Sequence, residues 1–511
     1  MISTGEAGAA FLRGAASLVL ACVLIAAGAA TTAAAPADLA YDFGDEGIAV
    51  VEGAGGKRFA EDAAARMAVG PEDEVFVLFS DYDCTWQWQC PTHLTLARFD
   101  AAGARDRSFD VELTLAQGPE RMPFDVAVGP DGKPVIAAYD VSGDGGGGLR
   151  VFRFDRDGRP DPGFGGDGEA APAIRPGHSA PVAAAVQPDG KVVVSTEGSR
   201  VEAGQELRVA RYSADGTLDS GFGTGGVASI ALPTQTRPAD LLLGPGGTVV
   251  VGSPYCCVGG SALFGEGFSL ARLLGNGQPD LGFAGSGGVR FPTPGAEGLV
   301  EAMALAPDGG ILVLFEERTE TVSTVDNLTR FNPDGSLDGG FGQDGRLRTY
   351  FRVGPVMPGA IAVDGRGRIV GTGFDPQVRS SRLAAFRLLP DGNVDRTFNG
   401  GQRVTMPVNA RVTGMGLQSG GRIVALARSG GNDFFLAAFS GGDSHVRCQQ
   451  QKATIVGTAR ADELVGTKNR DVIAALGGKD KVRGLSGADV ICGGPGQDTL
   501  LGGPGNDEIR Q

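Results

Sequence analysis

Six aspartates, Asp462, Asp471, Asp480, Asp489, Asp498 and Asp507, recur at intervals of nine residues near the C-terminus. Their segments read GTARADELV, GTKNRDVIA, ALGGKDKVR, GLSGADVIC, GGPGQDTLL and GGPGNDEIR, from Gly457 to Arg510. The sixth place is always aspartate, and the eighth is aliphatic: Leu464, Ile473, Val482, Ile491, Leu500 and Ile509. Six residues make a turn and three a strand, so two nonads predict one coil of a parallel β-roll with the eighth-place residues inside. Loops on one edge then belong to nonads two apart, with a cation between them. Calcium takes roughly six to eight hard oxygens, which carboxylates and peptide carbonyls supply. Glycine lets the loop backbone turn its carbonyls towards the ion.

The best-paired loops set Asp480 with Asp498 and Asp489 with Asp507, helped by carbonyls near Gly478, Gly487, Gly496 and Gly505. Arg460 and Asn469 stand where later nonads have glycine, and Lys468 and Arg470 add positive charge, so the first two nonads are expected to bind poorly. From Lys452 to Gln511 there are eight acidic and eight basic residues, so period, and not a general acidic tail, places these aspartates. The pattern resembles the G-G-x-G-x-D-x-U-x repeat of RTX, or haemolysin-type, calcium-binding proteins. That resemblance implies a Ca2+ cofactor held in the roll. A metal-free roll or an unfolded Gly-rich tail is the alternative.

The rest of the chain must be organised differently, because its period is longer. From Ala183 to Leu232, four short apolar runs are separated by Pro-Asp-Gly and Asp-Gly turns, which predict an antiparallel sheet. The unit returns about every 55 to 66 residues, a period of propellers and solenoids. One marker is the turn after the opening strand, as in Pro130-Asp131-Gly132 and Pro188-Asp189-Gly190. The other is G-x-x-D-x-x-F, carrying Asp106, Asp161, Asp219, Asp280, Asp338 and Asp395. There are seven opening turns and six complete second markers. The missing one lies at the other end, at Phe43-Gly44, before the strand Ile48-Ala49-Val50-Val51. A ring of sheets hides its edges when one blade takes strands from both termini.

The expected fold class is therefore all-β: a seven-bladed β-propeller closed by an N-terminal strand, then a small parallel β-roll. An open solenoid or another blade number is the alternative. The PDGK-type turns, LARF-like strands and D-x-x-F-G-x-x-G pattern resemble the bacterial delta-sixty repeat family, which implies a propeller without an assigned activity. The expected domains are a signal peptide over 1–35, the propeller over 36–440, a linker over 441–456 and the roll over 457–511.

Connections between strands two and three, and between blades, vary in length, so that face is the candidate for recognition. One such loop holds both tryptophans, Trp86 and Trp88, which could stack on a sugar or a peptide or simply cover the blade below. Catalysis has little support: the three histidines are scattered, and there is no HExxH, G-x-S-x-G or phosphate loop. The recurring propeller aspartates are expected to pin hairpins. Asn327-Leu328-Thr329 is a glycosylation sequon.

Arg13 followed by the apolar run Ala15 to Ala30, with Ala33 and Ala35, reads as a secretory signal, or else as a retained anchor. Six further cysteines suit an oxidising compartment. Their sequence separation suggests Cys84 with Cys90, Cys256 with Cys257 and Cys448 with Cys492, without proving it. A net charge of -15 disfavours nucleic acid as a partner. The sequence thus reads as a secreted or cell-surface, calcium-binding, non-enzymatic interaction protein whose partner would be a glycan or a surface protein. An extracellular propeller hydrolase or lyase acting on polysaccharide is the alternative, and acidic residues converging in the central channel would favour it.

Overall fold

The Pro-Asp-Gly turns close because glycine takes the left-handed backbone they need: φ is 74° at Gly132 and 82° at Gly190. Each turn sets two apolar strands antiparallel, such as Val182–Val186 against Val192–Val201. The computed structural model describes residues 40, 43–45, 47–51, 64–82, 90–118, 124–140, 148–174, 182–201, 204–232, 235–236, 240–256, 267–293, 296–319, 324–348, 357–375, 382–430, 433–441, 447–449, 451–453, 455–456, 462–475, 478–494 and 496–511.

Seven four-stranded antiparallel blades follow one another, with one extra short strand, Gln235–Thr236, on the fourth. The inner strands are Ala65–Val69, Phe124–Val128, Val182–Val186, Asp240–Leu243, Ala296–Leu305, Met357–Val363 and Ala410–Leu417. In the seventh blade, Ala410–Leu417, Ile423–Ser429 and Phe434–Phe439 come from the C-terminal side, and Ile48–Val51 completes the sheet against Phe434–Phe439. The expected closure by an N-terminal strand is what the structure contains.

Alternating apolar residues on both faces of each blade pack against its neighbours. One apolar cluster fills each of the seven seams. The closing cluster joins Val75, Val77 and Phe79 of the first blade to Leu436 and Ala438 of the seventh, with Phe43 and Val51 between them. Six of these seams join consecutive blades.

The C-terminal segment forms two parallel ladders with an 18-residue register. One stacks Glu463–Val465, Lys481–Arg483 and Thr499–Leu501; the other stacks Ile455–Val456, Val472–Ala474, Val490–Cys492 and Glu508–Arg510. Two nonads per coil is therefore correct. Ile473, Val482 and Ile491 are buried at the centre, whereas Ile509 is exposed. The segment expected as linker contains two short strand pairings. Arg447–Cys448 pairs with Gln451–Lys452, and Ile455–Val456 already belongs to the roll. Cys448 is bonded to Cys492, which ties this hairpin to the coil behind it.

Candidate functional site

The roll's turns are held by its own backbone. One carboxylate oxygen of each later aspartate accepts the N–H of the aspartate two nonads earlier. Asp480 Oδ1 takes Asp462 N–H at 2.8 Å, Asp489 takes Asp471 at 2.8 Å, Asp498 takes Asp480 at 2.9 Å and Asp507 takes Asp489 at 3.0 Å. The expected pairs, Asp480 with Asp498 and Asp489 with Asp507, thus share an edge.

The second oxygens differ from the first. Oδ2 of Asp480, Asp489 and Asp498 is buried and has no hydrogen-bond partner. A buried carboxylate oxygen left without a donor is costly. Burial, with Asp498 and Asp462 adding repulsion, raises the Asp480 carboxyl above its usual range. Asp471, in the second nonad, is finished internally: its Oδ2 accepts the Thr467 N–H at 2.6 Å and the Thr467 hydroxyl at 3.0 Å. Among the described residues no such donor meets the second oxygen of Asp480, Asp489 or Asp498.

Glycines let the loops approach this closely. A Cβ on Gly496 would lie 1.6 Å from the Gly478 carbonyl oxygen, and one on Gly505 would lie 1.5 Å from that of Gly487. A Cβ on Gly484 or Gly493 would meet the orphaned oxygen of Asp489 or Asp498 at 2.4 and 2.5 Å. Gly478, Gly487, Gly496 and Gly505 therefore stack in pairs beside the aspartates. Among the described residues no three His, Cys, Asp or Glu side chains gather as a metal cluster. A cation here must draw on loop carbonyls as well as on carboxylates, which suits calcium.

The propeller's recurring aspartates are finished in another way. One oxygen caps the turn: Asp161 accepts Gly163 N–H at 3.0 Å, and Asp219, Asp280 and Asp338 do the same for Gly221, Gly282 and Gly340. The other oxygen meets an arginine eight residues earlier. Arg153 reaches Asp161 at 2.7 Å, Arg211 reaches Asp219 at 2.8 Å, Arg272 reaches Asp280 at 2.7 Å and Arg387 reaches Asp395 at 2.7 Å. Each of these arginines lies over the motif phenylalanine, 4.6 Å from the Phe164 ring centre for Arg153. Each also donates to a backbone carbonyl beyond its own blade, as Arg153 does to Ala214 at 2.6 Å.

Hydrogen bonds from Ser108 and Arg98 bring the Asp106 carboxyl down to about 2. At Asp161 burial opposes ionisation, but Lys133, the Gly163 N–H and Arg153 outweigh it and hold the carboxyl below its usual range. These aspartates are structural, as expected. The sequence reading missed the arginines, although a constant R-x7-D spacing in all six copies, from Arg98/Asp106 to Arg387/Asp395, carries the signal.

At the closing seam, where the first copy lacks its aspartate, Arg422 donates to the Ala101 carbonyl at 2.8 Å and lies over Phe43. Ser419 adds a hydroxyl bond to Asp73 at 2.6 Å.

Acidic residues do converge on the axis, which the sequence had not revealed. Asp125, Asp240 and Glu301 line a cavity there together with Arg66 and Arg411. Trp86, Trp88, Cys84, Cys257, the signal segment 1–35, His178 and His445 lie outside the described residues, as do the side chains of Cys90 and Cys256. His93 stands on the strand Cys90–Phe99 with Nδ1 3.2 Å from the Thr114 hydroxyl. Asn327 is fully buried on Thr324–Phe331, so its sequon is closed to modification in the folded protein.

The nine-residue coils with orphaned carboxylate oxygens match the RTX calcium-binding nonapeptide repeat at residues 456–491 and 475–509. The chain is a β-propeller protein whose C-terminal coils match RTX calcium-binding repeats. Its propeller matches a β-propeller domain of unknown function, DUF5122, at residues 129–164, 187–222 and 320–341. No curated protein gives a sequence match.

Among solved structures, the chain is similar to a polysaccharide lyase of family PL25, an ulvan lyase, at 11% identity and TM-score 0.44, covering 80% of this chain and 95% of that one. It is also similar to the Penicillium chrysogenum alpha-L-arabinanase at 10% identity and TM-score 0.39, covering 77% and 97%. PorZ of the Porphyromonas gingivalis type-IX secretion system is similar at 13% identity and TM-score 0.38, covering 77% and 48%. Likeness at this level says nothing about the activity of this chain. Among the described residues, no helix is long and apolar enough to cross a membrane.

Proposed function

We propose that this protein works outside the cell as a calcium-stabilised binding protein without catalysis, its RTX tail completed by Ca2+ at the Asp480–Asp498 and Asp489–Asp507 edges. The observation that carries this reading is the set of three buried, partnerless oxygens on Asp480, Asp489 and Asp498. A divalent cation neutralises these carboxylates and replaces the missing donors, and carbonyls beside Gly478, Gly487, Gly496 and Gly505 complete its shell.

Because the apolar core of the tail is small, binding and folding are one event: without calcium the tail loses its coils. The Cys448–Cys492 bond and the calcium requirement both suit a calcium-replete, oxidising exterior, reached through the signal-like segment 1–35. The propeller offers its variable loops to an extracellular glycan or surface protein, with Trp86 and Trp88 as stacking residues.

Calorimetric calcium titration of the whole chain, followed by circular dichroism, tests this reading. Saturable binding with a gain of β-structure, lost in the Asp498→Ala, Asp507→Ala variant, is expected. No binding at millimolar calcium would reduce the tail to a spacer. The carboxylates Asp125, Asp240 and Glu301 favour a second reading, a polysaccharide hydrolase or lyase. Product release from acidic polysaccharides, lost in Asp240→Asn, would establish it.

A further inference from the structure

A cavity of about 650 Å3 lies on the propeller axis, within the usual span for small-ligand sites. In the first, second and fourth blades the inner-strand residue four places before the hairpin turn faces it: Arg66, Asp125 and Asp240. In the fifth, sixth and seventh blades the register breaks at this level, between Val300 and Ala302, Pro358 and Ala360, and Val412 and Gly414. The extra residue of each bulge, Glu301, Gly359 or Thr413, faces the cavity instead. Bulges re-aim side chains in this way next to binding sites. Arg66, Asp125, Asp240 and Arg411 are first or second in their strands, so the cavity lies towards the end of the channel where the variable connections enter.

The charge around the wall is divided. Asp240 and Glu301 come from the fourth and fifth blades, and Arg411 from the seventh, across the ring from Asp240. Both axial aspartates are fixed by backbone donors: Asp125 Oδ2 accepts Ala184 N–H at 2.9 Å, and Asp240 Oδ2 accepts Met303 N–H at 2.9 Å. Burial raises both, Asp240 to about 6. Arg66 offsets part of their charge, which leaves a negative wall facing a positive one. Phe124 and Phe434 line the cavity but are 4% and 1% exposed, so neither offers a ring face for a sugar to stack on.

We propose that this axial cavity binds a small zwitterion, an amino acid or short peptide with free termini, its ammonium against Asp125 and Asp240 and its carboxylate against Arg411. The site is independent of the calcium tail.

The test uses the full chain, in calcium and in chelator, with trialanine, its N-acetyl and C-amide forms, and glucuronate as probes in calorimetry. Trialanine should bind in both conditions, and blocking either terminus should weaken it by about tenfold or more. Asp240→Asn keeps an acceptor for the Met303 N–H and should erase only the preference for a free amine. Arg411→Gln should erase only the preference for a free carboxylate. Equal binding of the blocked peptides, binding of glucuronate alone, or no binding of trialanine at about 10 mM would each overturn the proposal.

Discussion

Asp395 in the propeller and Asp489 in the roll are equally hidden from solvent, yet they are finished by different partners. Asp395 meets Arg387 at 2.7 Å and the N–H and hydroxyl of Thr397. Asp489 gives one oxygen to the Asp471 N–H and leaves the other without a partner. Both belong to sets of six periodic aspartates. In the propeller the counter-charge is covalently present, on an arginine eight residues away that also reaches the next turn. On the function proposed above, the roll takes it from solution, so the propeller is stable in itself and the tail depends on calcium.

The comparison can be broken from either side. The largest effect is expected at Arg387→Ala. This arginine is 1% exposed, and its removal leaves the buried Asp395 with only the more distant Arg368, at 3.8 Å, as counter-charge, a loss of about 3 kcal/mol. Urea unfolding of the propeller should show that loss equally in calcium and in chelator. A calcium-dependent loss would mean the two regions are coupled.

The acidic cluster in the fifth blade should give the next effect. Asp326 is raised to about 7 by burial, with Glu301 and Glu316 adding repulsion. A raised carboxyl favours folding below its unfolded value near pH 4 and loses that advantage as pH climbs towards 7. Asp326→Asn should therefore flatten the fall in melting temperature over that window, a difference of up to about 4 kcal/mol at neutral pH. Asp106, brought down to about 2, acts in the opposite sense. Its contribution is complete above about pH 4 and fades as pH falls towards 2.

In the tail, calcium at about ten times its dissociation constant should add about 1.4 kcal/mol per site. Asp489→Asn should remove one such increment in calcium and change nothing in chelator, as read by melting with and without the ion. Arg98→Ala should be the mildest change, near 1 kcal/mol, because Arg98 and Asp106 are partly exposed, at 23% and 30%.

Much of this was legible in the chain because periodicity exposes itself. The turn glycines, the missing seventh marker at Phe43-Gly44 and the eighth-place aliphatic residues carried the blade count, the closing strand and the coil of two nonads. The pairs Asp480/Asp498 and Asp489/Asp507 followed from the same arithmetic. What stayed hidden depends on neighbours distant in sequence. Asp125 and Asp240 lie on blades two and four, and only ring closure sets them on one cavity. The bulges that expose Glu301 and Thr413 have no marker in a single strand. Ile455–Val456 looked like linker because its nonad lacks the aspartate.

Hydrogen exchange on the whole protein, with and without calcium, tests the central contrast most directly. The amides of 462–511 should be protected in calcium and should exchange rapidly in chelator, while those of the seven blades stay protected in both. Equal protection of the tail in chelator would contradict the claim that its buried carboxylates wait for a cation.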